Sequence, residues 1–170
     1  MKTKLFKTLA ATAMSVLAIA CAKEPVADNG QQAGVSFTIE VPGAPATRAY
    51  GEAGKATKLY YQVFDNAGAP IEGLGVQHTD LVGKAAKVSF QLVKDQTYNF
   101  VFWAQTTETG YYTIDETEGL KKITADYTAH KDANDENRDA FFAVETITVS
   151  GPVAKEVKLT RPFAQINIAT

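Results

Sequence analysis

Apolar and polar residues alternate along much of the chain after residue 34, and this pattern predicts β-strands. The first such segment, VSFTIEV (residues 35–41), places four apolar side chains on one face: Val35, Phe37, Ile39 and Val41. KVSFQLV (87–93) repeats the pattern. Because successive side chains of a strand point to opposite faces, each segment predicts a strand with one buried face.

Two further segments are apolar on both faces. These are TKLYYQVFD (57–65), followed by a turn at 66–68, and TYNFVFWAQ (97–105). A strand that is covered on both faces lacks the polar alternation, so both segments predict central strands. Residues 94–96, Lys-Asp-Gln, are expected to form a tight hairpin between the strands 87–93 and 97–105.

The remaining pattern predicts shorter strands at 111–115, 139–144 and 146–149. A long strand is expected from Val153 to Ile168, interrupted at Pro162. A proline at that point indicates an edge position, a bulge or a switch between sheets. Seven to nine strands without helical periodicity predict an all-β fold, an antiparallel β-sandwich.

The last residues, RPFAQINIAT, keep the strand alternation up to Thr170. We expect either a final strand that closes the sheet or a domain that continues beyond this point, and the second interpretation is favoured. The β-sandwich domain is therefore placed at 35–170, with truncation at its C-terminus as an open alternative.

The first twenty residues have the pattern of an export signal. Three lysines, Lys2, Lys4 and Lys7, precede an apolar run that ends in small residues at Ala20. At about a dozen residues this run is shorter than the roughly 20 needed to span a bilayer. Residues 1–20 are therefore predicted to be a signal peptide, and the small, polar residues of 21–34 a flexible tether.

The only cysteine of the chain, Cys21, directly follows this run. LAIAC resembles the lipobox of bacterial lipoproteins, in which the cysteine is lipidated and becomes the new N-terminus, although Ala18 stands where leucine is commoner. The alternative is an ordinary signal peptide with an incidental cysteine. A lipidated Cys21 would anchor the protein through two or more acyl chains, at ~0.8 kcal/mol per buried methylene. The mature chain would then have no free thiol for disulfides, metals or catalysis.

Charge and motifs exclude several classes of function. Without the three lysines of the signal, 14 basic residues face 19 acidic ones, a balance that argues against a nucleic-acid partner. The chain contains no HExxH, CxxC or G-x-S-x-G motif, and His78 and His130 are isolated. We therefore predict no enzyme, no cofactor, no metal site and no catalytic residue.

Two acidic stretches suggest chemistry but have simpler interpretations. In DANDENRD (132–139), Asp132, Asn134 and Glu136 alternate as calcium ligands do, but the glycine and glutamate of a calcium loop are missing. A solvated loop explains the same composition and is favoured. The carboxylates Asp115, Glu116 and Glu118 would suit acid–base work on a glycan, but we favour a charged turn as their explanation.

The loop PATRAYG (45–51) contains Arg48, one of three arginines. Taken together, the signal with LAIAC, the first strand, TRA, KLYYQVFD, VFWAQ and LTRPFAQINI resemble the fimbrillin-like lipoproteins of anaerobic Gram-negative bacteria. More closely, they resemble an uncharacterised lipoprotein domain family related to those proteins.

The resemblance implies assembly by strand exchange. A protease would cut between Arg48 and Ala49 and release the strand that carries Val35, Phe37, Ile39 and Val41, and a strand of another fimbrial subunit would take its place. It implies a surface-exposed lipoprotein of the outer membrane that acts in adhesion, as a structural or anchor subunit of a fimbria that contacts the host surface.

Two other functions fit the sequence. One is a surface lipoprotein that binds glycans, with Tyr111 and Tyr112 as the candidate contacts and Trp103 as a further aromatic residue. The other is a structural lipoprotein that faces the periplasm.

Overall fold

The computed structural model describes residues 30–43, 55–106, 110–126, 128 and 135–162. The predicted signal peptide, Cys21, the tether up to residue 29, Arg48, Ala49 and His130 lie outside these ranges. The described residues form nine strands and one short 3-10 turn. The strands are β1 (Gln32–Glu40), β2 (Lys58–Asp65), β3 (Gln77–Asp80), β4 (Ala85–Val93), β5 (Gln96–Gln105), β6 (Tyr112–Asp115), β7 (Gly119–Ala125), β8 (Ala140–Val149) and β9 (Val153–Lys158), with the turn at Glu136–Arg138.

Seven of the strands form two sheets that pack face to face. Sheet A has the order β4-β1-β9, and sheet B has the order β3-β2-β5-β8. Neighbouring strands are antiparallel except β1 and β9, which run parallel. The predicted all-β sandwich is confirmed. Within the described ranges, no helix has the length and apolar character that a membrane span requires.

The main core lies between the two sheets and is built from the predicted alternating rows. Phe37 of β1 and Phe90 of β4 enter it from sheet A, and Phe100 and Phe102 of β5 enter it from sheet B. In β4 every second residue from Ala86 to Leu92 is buried, and the residues between are exposed. The hydrophobic burial predicted for 35–41 and 87–93 is therefore present as a shared core.

A third layer explains why β2 and β5 are apolar on both faces. The two-stranded sheet of β6 and β7 packs on the outer face of sheet B. There Trp103 of β5 forms a second apolar cluster with Tyr111, Tyr112 and Leu120. Each central strand of sheet B is thus covered on one face by sheet A and on the other by this hairpin.

The expected hairpin at residues 94–96 is wrong. β4 pairs with β1 in sheet A, whereas β5 pairs with β2 and β8 in sheet B. The short turn therefore crosses from one layer to the other, with Asp95 at a φ of 61°. The reason is that the apolar rows of both strands are buried most completely when they face each other across the core.

Several strand boundaries also differ from the prediction. Segments 139–144 and 146–149 form the single strand β8, and β3 and β7 were not predicted. β1 begins at Gln32, three residues before 35 and inside the predicted tether, because residues 32–34 pair with the end of β4. Their small or polar side chains carry little hydrophobic signal.

The last described segment switches between sheets, one of the three arrangements considered for Pro162. The N–H of Leu159 donates to the carbonyl of Glu40 in sheet A. The next residue, Thr160, exchanges two backbone hydrogen bonds with Phe142 in sheet B. The switch therefore lies at Leu159–Thr160, two residues before the proline.

Candidate functional site

The strand predicted to be released, β1, lies in the centre of sheet A. It pairs with β4 from Gln32 to Glu40, and with β9 from Val35 to Glu40. A strand near the N-terminus of a sheet protein could lie at an edge, but this one has a neighbour on each side. Its loss would leave two strands with unpaired backbone groups facing each other.

The inward side chains of β1 are among the most deeply buried in the protein. Val35, Phe37 and Ile39 are at most 1% exposed, and Val41 is 4% exposed. Ala33, which the sequence pattern did not include, extends the row and is fully buried. All four residues proposed for the released strand therefore contact the core.

The ring of Phe37 occupies an aromatic pocket formed by Phe90, Phe100 and Phe102, which we call the Phe37 pocket. Its centroid lies 4.7 Å from that of Phe100, 5.1 Å from that of Phe102 and 6.3 Å from that of Phe90. Tilted and edge-to-face contacts at these distances are favourable for aromatic rings. Phe37 is thus the central contact between β1 and the rest of the core.

The predicted processing site and lipid anchor lie outside the described residues. β1 is followed by Val41, whose N–H donates to the carbonyl of Lys84, and the described chain then stops at Gly43 and resumes at Lys55. Arg48 and Ala49 fall between these two points. Cleavage after Arg48 and lipidation of Cys21 both stay predictions.

Tyr111 and Tyr112, the candidate glycan contacts, are buried. Their exposed fractions are 4% and 9%. The ring of Tyr112 packs edge-on against Trp103, with centroids 5.2 Å apart, and its hydroxyl donates to the carbonyl of Arg138. Trp103 itself is 6% exposed. Their faces are covered because the β6–β7 hairpin uses them to pack on sheet B, so they cannot stack on a sugar ring.

The turn before β8 forms a polar cluster around Tyr111. The hydroxyl of Tyr111 donates to the carboxylate of Asp135, which also accepts from the N–H of Asn137. The hydrogen bond from Tyr111 is the main cause that lowers the pKa of Asp135, and it also raises the pKa of Tyr111. The guanidinium of Arg138 lies over the Tyr111 ring, 5.6 Å from its centroid. This cluster joins the 3-10 turn to the hairpin.

A second arginine, Arg161, also lies over an aromatic ring, and it pairs with a carboxylate. Nε and Nη2 of Arg161 donate to the two carboxylate oxygens of Asp139, at 3.3 and 2.8 Å. The guanidinium lies over the ring of Phe141, 4.9 Å from its centroid. This bidentate pair fixes the end of the segment that has switched sheets.

The carboxylates considered for acid–base chemistry have a structural role in the turn between β6 and β7. Asp115 accepts from the N–H groups of Thr117 and Glu118 and pairs with Lys122. The N–H of Glu118, the ammonium of Lys122 and the N–H of Thr117 lower the pKa of Asp115 to about 2. Asp115 is therefore a turn carboxylate that is ionised at neutral pH.

The histidine and calcium hypotheses are tested only in part. His78 lies on the edge strand β3 with its ring against Tyr60. The candidate calcium ligands Asp132 and Asn134 lie outside the described residues. Among the residues that the structure describes, no group of three His, Cys, Asp or Glu side chains is placed to hold a metal ion.

One ion pair that the sequence analysis missed lies at an open side of the sandwich. Glu145 of β8 and Lys155 of β9 join the edge strands of the two sheets. Glu145 occupies an inward position between Ala143 and Ile147, so a charge in an otherwise apolar row was the signal available in the sequence. Inward-pointing charges on edge strands oppose pairing with other chains. This open side is therefore protected against pairing with other chains. β1, in contrast, lies in the interior of its sheet.

Comparison with known proteins identifies the family. A model described as a family of unknown function (DUF6562) matches residues 27–170. The chain belongs to this family. The match confirms that the chain belongs to an uncharacterised domain family, as its sequence resemblance indicated. No curated protein sequence matches this DUF6562 chain.

Two solved structures match part of this DUF6562 chain. One, from Bacteroides thetaiotaomicron, is described as a proposed polysaccharide-binding protein (DUF1812); it is 14% identical, with a TM-score of 0.47 over 76% of this chain and 46% of the other. The second is a fimbrial assembly protein from Parabacteroides distasonis, 16% identical, with a TM-score of 0.36 over 76% of this chain and 52% of the other. The chain spans about half the length of each. Both descriptions belong to those proteins, and neither assigns a function to this one.

Proposed function

We propose that this DUF6562 protein is a surface-exposed lipoprotein of the outer membrane, anchored through Cys21, and a structural or anchor subunit of an adhesive fimbria. Its assembly would follow the strand exchange that the sequence resemblance implies, with other fimbrial subunits as partners. The role proposed is structural and not catalytic.

The observation that supports the proposal is the position of β1. Cleavage after Arg48 would separate the central strand of sheet A from the rest of the domain. β4 and β9 would then face each other across a groove whose floor includes Phe100 and Phe102. Unpaired strand edges above an apolar floor are the features that an incoming strand recognises, through backbone hydrogen bonds and side-chain pockets.

The energetics favour a stable replacement of β1 by a strand with the same pattern. Burial of the four apolar side chains of residues 35–41 contributes about 6–12 kcal/mol before the costs of ordering the strand. An incoming strand that fills the same positions would gain a similar contribution. Once inserted, such a strand would be difficult to dislodge without denaturation.

The test is an Arg48→Ala variant expressed in the native cells, compared with wild type by immunoblot of boiled and unboiled samples. For wild type we expect a high-mass ladder in the unboiled lane that collapses on boiling to a band whose N-terminus is Ala49. For Arg48→Ala we expect a single band of the full mature mass in both lanes. Lys55→Ala, which changes an exposed basic residue near the same loop, is the control and should behave as wild type.

Two results would contradict assembly by cleavage and strand exchange, in different ways. A normal ladder from Arg48→Ala would show that cleavage at this site is not needed for assembly. A single uncleaved band from wild type would show that the protein is not processed, which leaves the anchor role and the periplasmic alternative. Protease treatment of intact cells separates these two, because only a surface-exposed domain is degraded.

A further inference from the structure

The chain contains three arginines, and the structure describes two of them, Arg138 and Arg161. A protease that cuts after arginine must take the guanidinium group into a specificity pocket and attack the carbonyl carbon of the same residue. Both groups have to be accessible for a cut to occur. The fold engages at least one of them at each of the two described arginines.

Arg138 is held through both its side chain and its backbone. Its Nε and Nη2 atoms are buried, and its guanidinium lies over the ring of Tyr111, 5.6 Å from the centroid. The carbonyl of Arg138, which a protease would attack, accepts a hydrogen bond from the hydroxyl of Tyr112 at 2.5 Å. The N–H of Arg138 donates to the carbonyl of Asp135 and closes the 3-10 turn. Two tyrosines at the start of the β6–β7 hairpin therefore cover the groups that a protease needs.

Arg161 is withheld from a protease in a different way. Its Nε and Nη2 donate to the carboxylate of Asp139, and its guanidinium lies over the ring of Phe141. The next residue is Pro162, whose nitrogen carries no hydrogen and is closed into a ring. The bond after Arg161 therefore differs from an ordinary peptide bond, and its side chain is already held by a carboxylate.

A cut after Arg138 would separate β8 and β9 from the rest of the chain. β8 pairs with β5 along its whole length, and β9 is one of the two neighbours of β1. Such a cut would leave an edge strand of each sheet without its covalent connection to the domain. A cut after Arg48, in contrast, would keep β2 to β9 on one chain.

We propose that Tyr111 and Tyr112 shield the Arg138–Asp139 bond from a protease specific for arginine, and thereby confine processing of the folded domain to Arg48. The shield acts while the β6–β7 hairpin stays packed on sheet B, because a protease reaches a covered bond only when the structure opens locally. The consequence for assembly rests on the proposed function, since it presumes processing at Arg48. The shielding of Arg138 does not.

The test is digestion of an Arg48→Ala variant of the mature domain by a purified endoprotease specific for arginine, with the fragments identified by mass spectrometry. This variant keeps β1 attached, so the rate measured at Arg138 does not depend on processing at Arg48. A synthetic peptide of residues 134–143 gives the rate for the same bond without the fold. We expect the folded variant to be cut after Arg138 at least about 100-fold more slowly than the peptide. Similar rates for the two would overturn the proposal.

Tyr112→Phe, added to the same variant, keeps the ring but removes the hydroxyl that bonds to the Arg138 carbonyl. It should raise the rate of cutting at Arg138 about tenfold, because local opening becomes more frequent. Tyr98→Phe is the matched control, since its hydroxyl donates to the carbonyl of Val93 at 3.2 Å, and it should leave that rate unchanged.

An unchanged rate for a folded Tyr112→Phe variant, or an equal rise for both variants, would overturn the shield. If Tyr112→Phe does not fold, the comparison with the peptide still decides. Failure of the proposed function gives a different result: wild type would resist the protease at Arg48 while Arg138 stays protected.

Discussion

Phe37 shows how much of the fold depends on single side chains. Its ring is 1% exposed and contacts three phenylalanine rings that come from both sheets. Protein cores are close-packed, so the space left by a deleted ring is filled only in part by neighbouring atoms. The sequence pattern predicted that Phe37 faces the core, and the structure adds that it lies at the point where the two sheets meet.

We expect Phe37→Ala to lower the free energy of unfolding by about 3–5 kcal/mol, measured by urea unfolding of the mature domain. Phe142→Ala is the control because it removes the same ring from an outer-face position that is 36% exposed. Its cost should be less than about 1 kcal/mol. Similar losses for the two variants would contradict the central position of Phe37.

The position of the β6–β7 hairpin depends on a close contact between its backbone and the side chain of Gln62. The N–H of Leu120 donates to Oε1 of the buried Gln62 of β2, at 2.9 Å. At Gly119 an added Cβ would lie 2.2 Å from that same oxygen, and the residue has a φ of +61°. A side chain at position 119 would therefore have to displace the Gln62 amide that accepts from Leu120.

Gly119→Ala is expected to loosen the hairpin from sheet B and to expose Trp103, because the added Cβ would take the space of the buried Gln62 amide that accepts from Leu120. Intrinsic fluorescence should show a red shift of the Trp103 emission, and thermal unfolding a lower midpoint. Gly83→Ala is the matched control, since Gly83 has a φ of +60° but no atom within 4 Å of the added Cβ. It should cost only the backbone strain of about 1–2 kcal/mol and leave the emission unchanged. An unchanged emission for Gly119→Ala would contradict the close approach.

At the scale of the whole molecule, the fold depends on pairing between distant parts of the chain. β1 is the first described strand and β9 the last, yet they are parallel neighbours in sheet A. The fragment that remains after cleavage at Arg48 would therefore keep every other described strand but lack the centre of one sheet. Its stability should depend on a strand supplied from outside.

We expect the fragment 49–170 to lack fixed tertiary structure alone and to recover it when a synthetic peptide of residues 30–43 is added. Near-ultraviolet circular dichroism of the aromatic core is the measurement. The same peptide with Phe37→Ala should restore the signal poorly, because it leaves the Phe37 pocket unfilled. A fragment that is fully folded without peptide would show that β1 is dispensable, which its central position contradicts.

The sequence by itself determined most of the segments that become strands and the side chains of the alternating segments that face the core. The alternation in 35–41 and 87–93 is local, and the two-sided apolar character of 97–105 correctly indicated a central strand covered on both faces. These properties follow from the two-residue period of a strand, which depends only on residues that are close in the sequence.

Only the tertiary structure decided how the strands are grouped and which polar groups meet. Residues 94–96 read as a hairpin turn, but their flanking strands belong to opposite sheets, because long-range burial outweighs local turn preference. Tyr111 and Tyr112 follow a glycine as exposed residues often do, yet the β6–β7 hairpin buries them against Trp103. The ion pair of Glu145 with Lys155 likewise had no complete local signal. Such features depend on contacts between residues far apart in the chain, and a periodic pattern does not encode which segments will be neighbours.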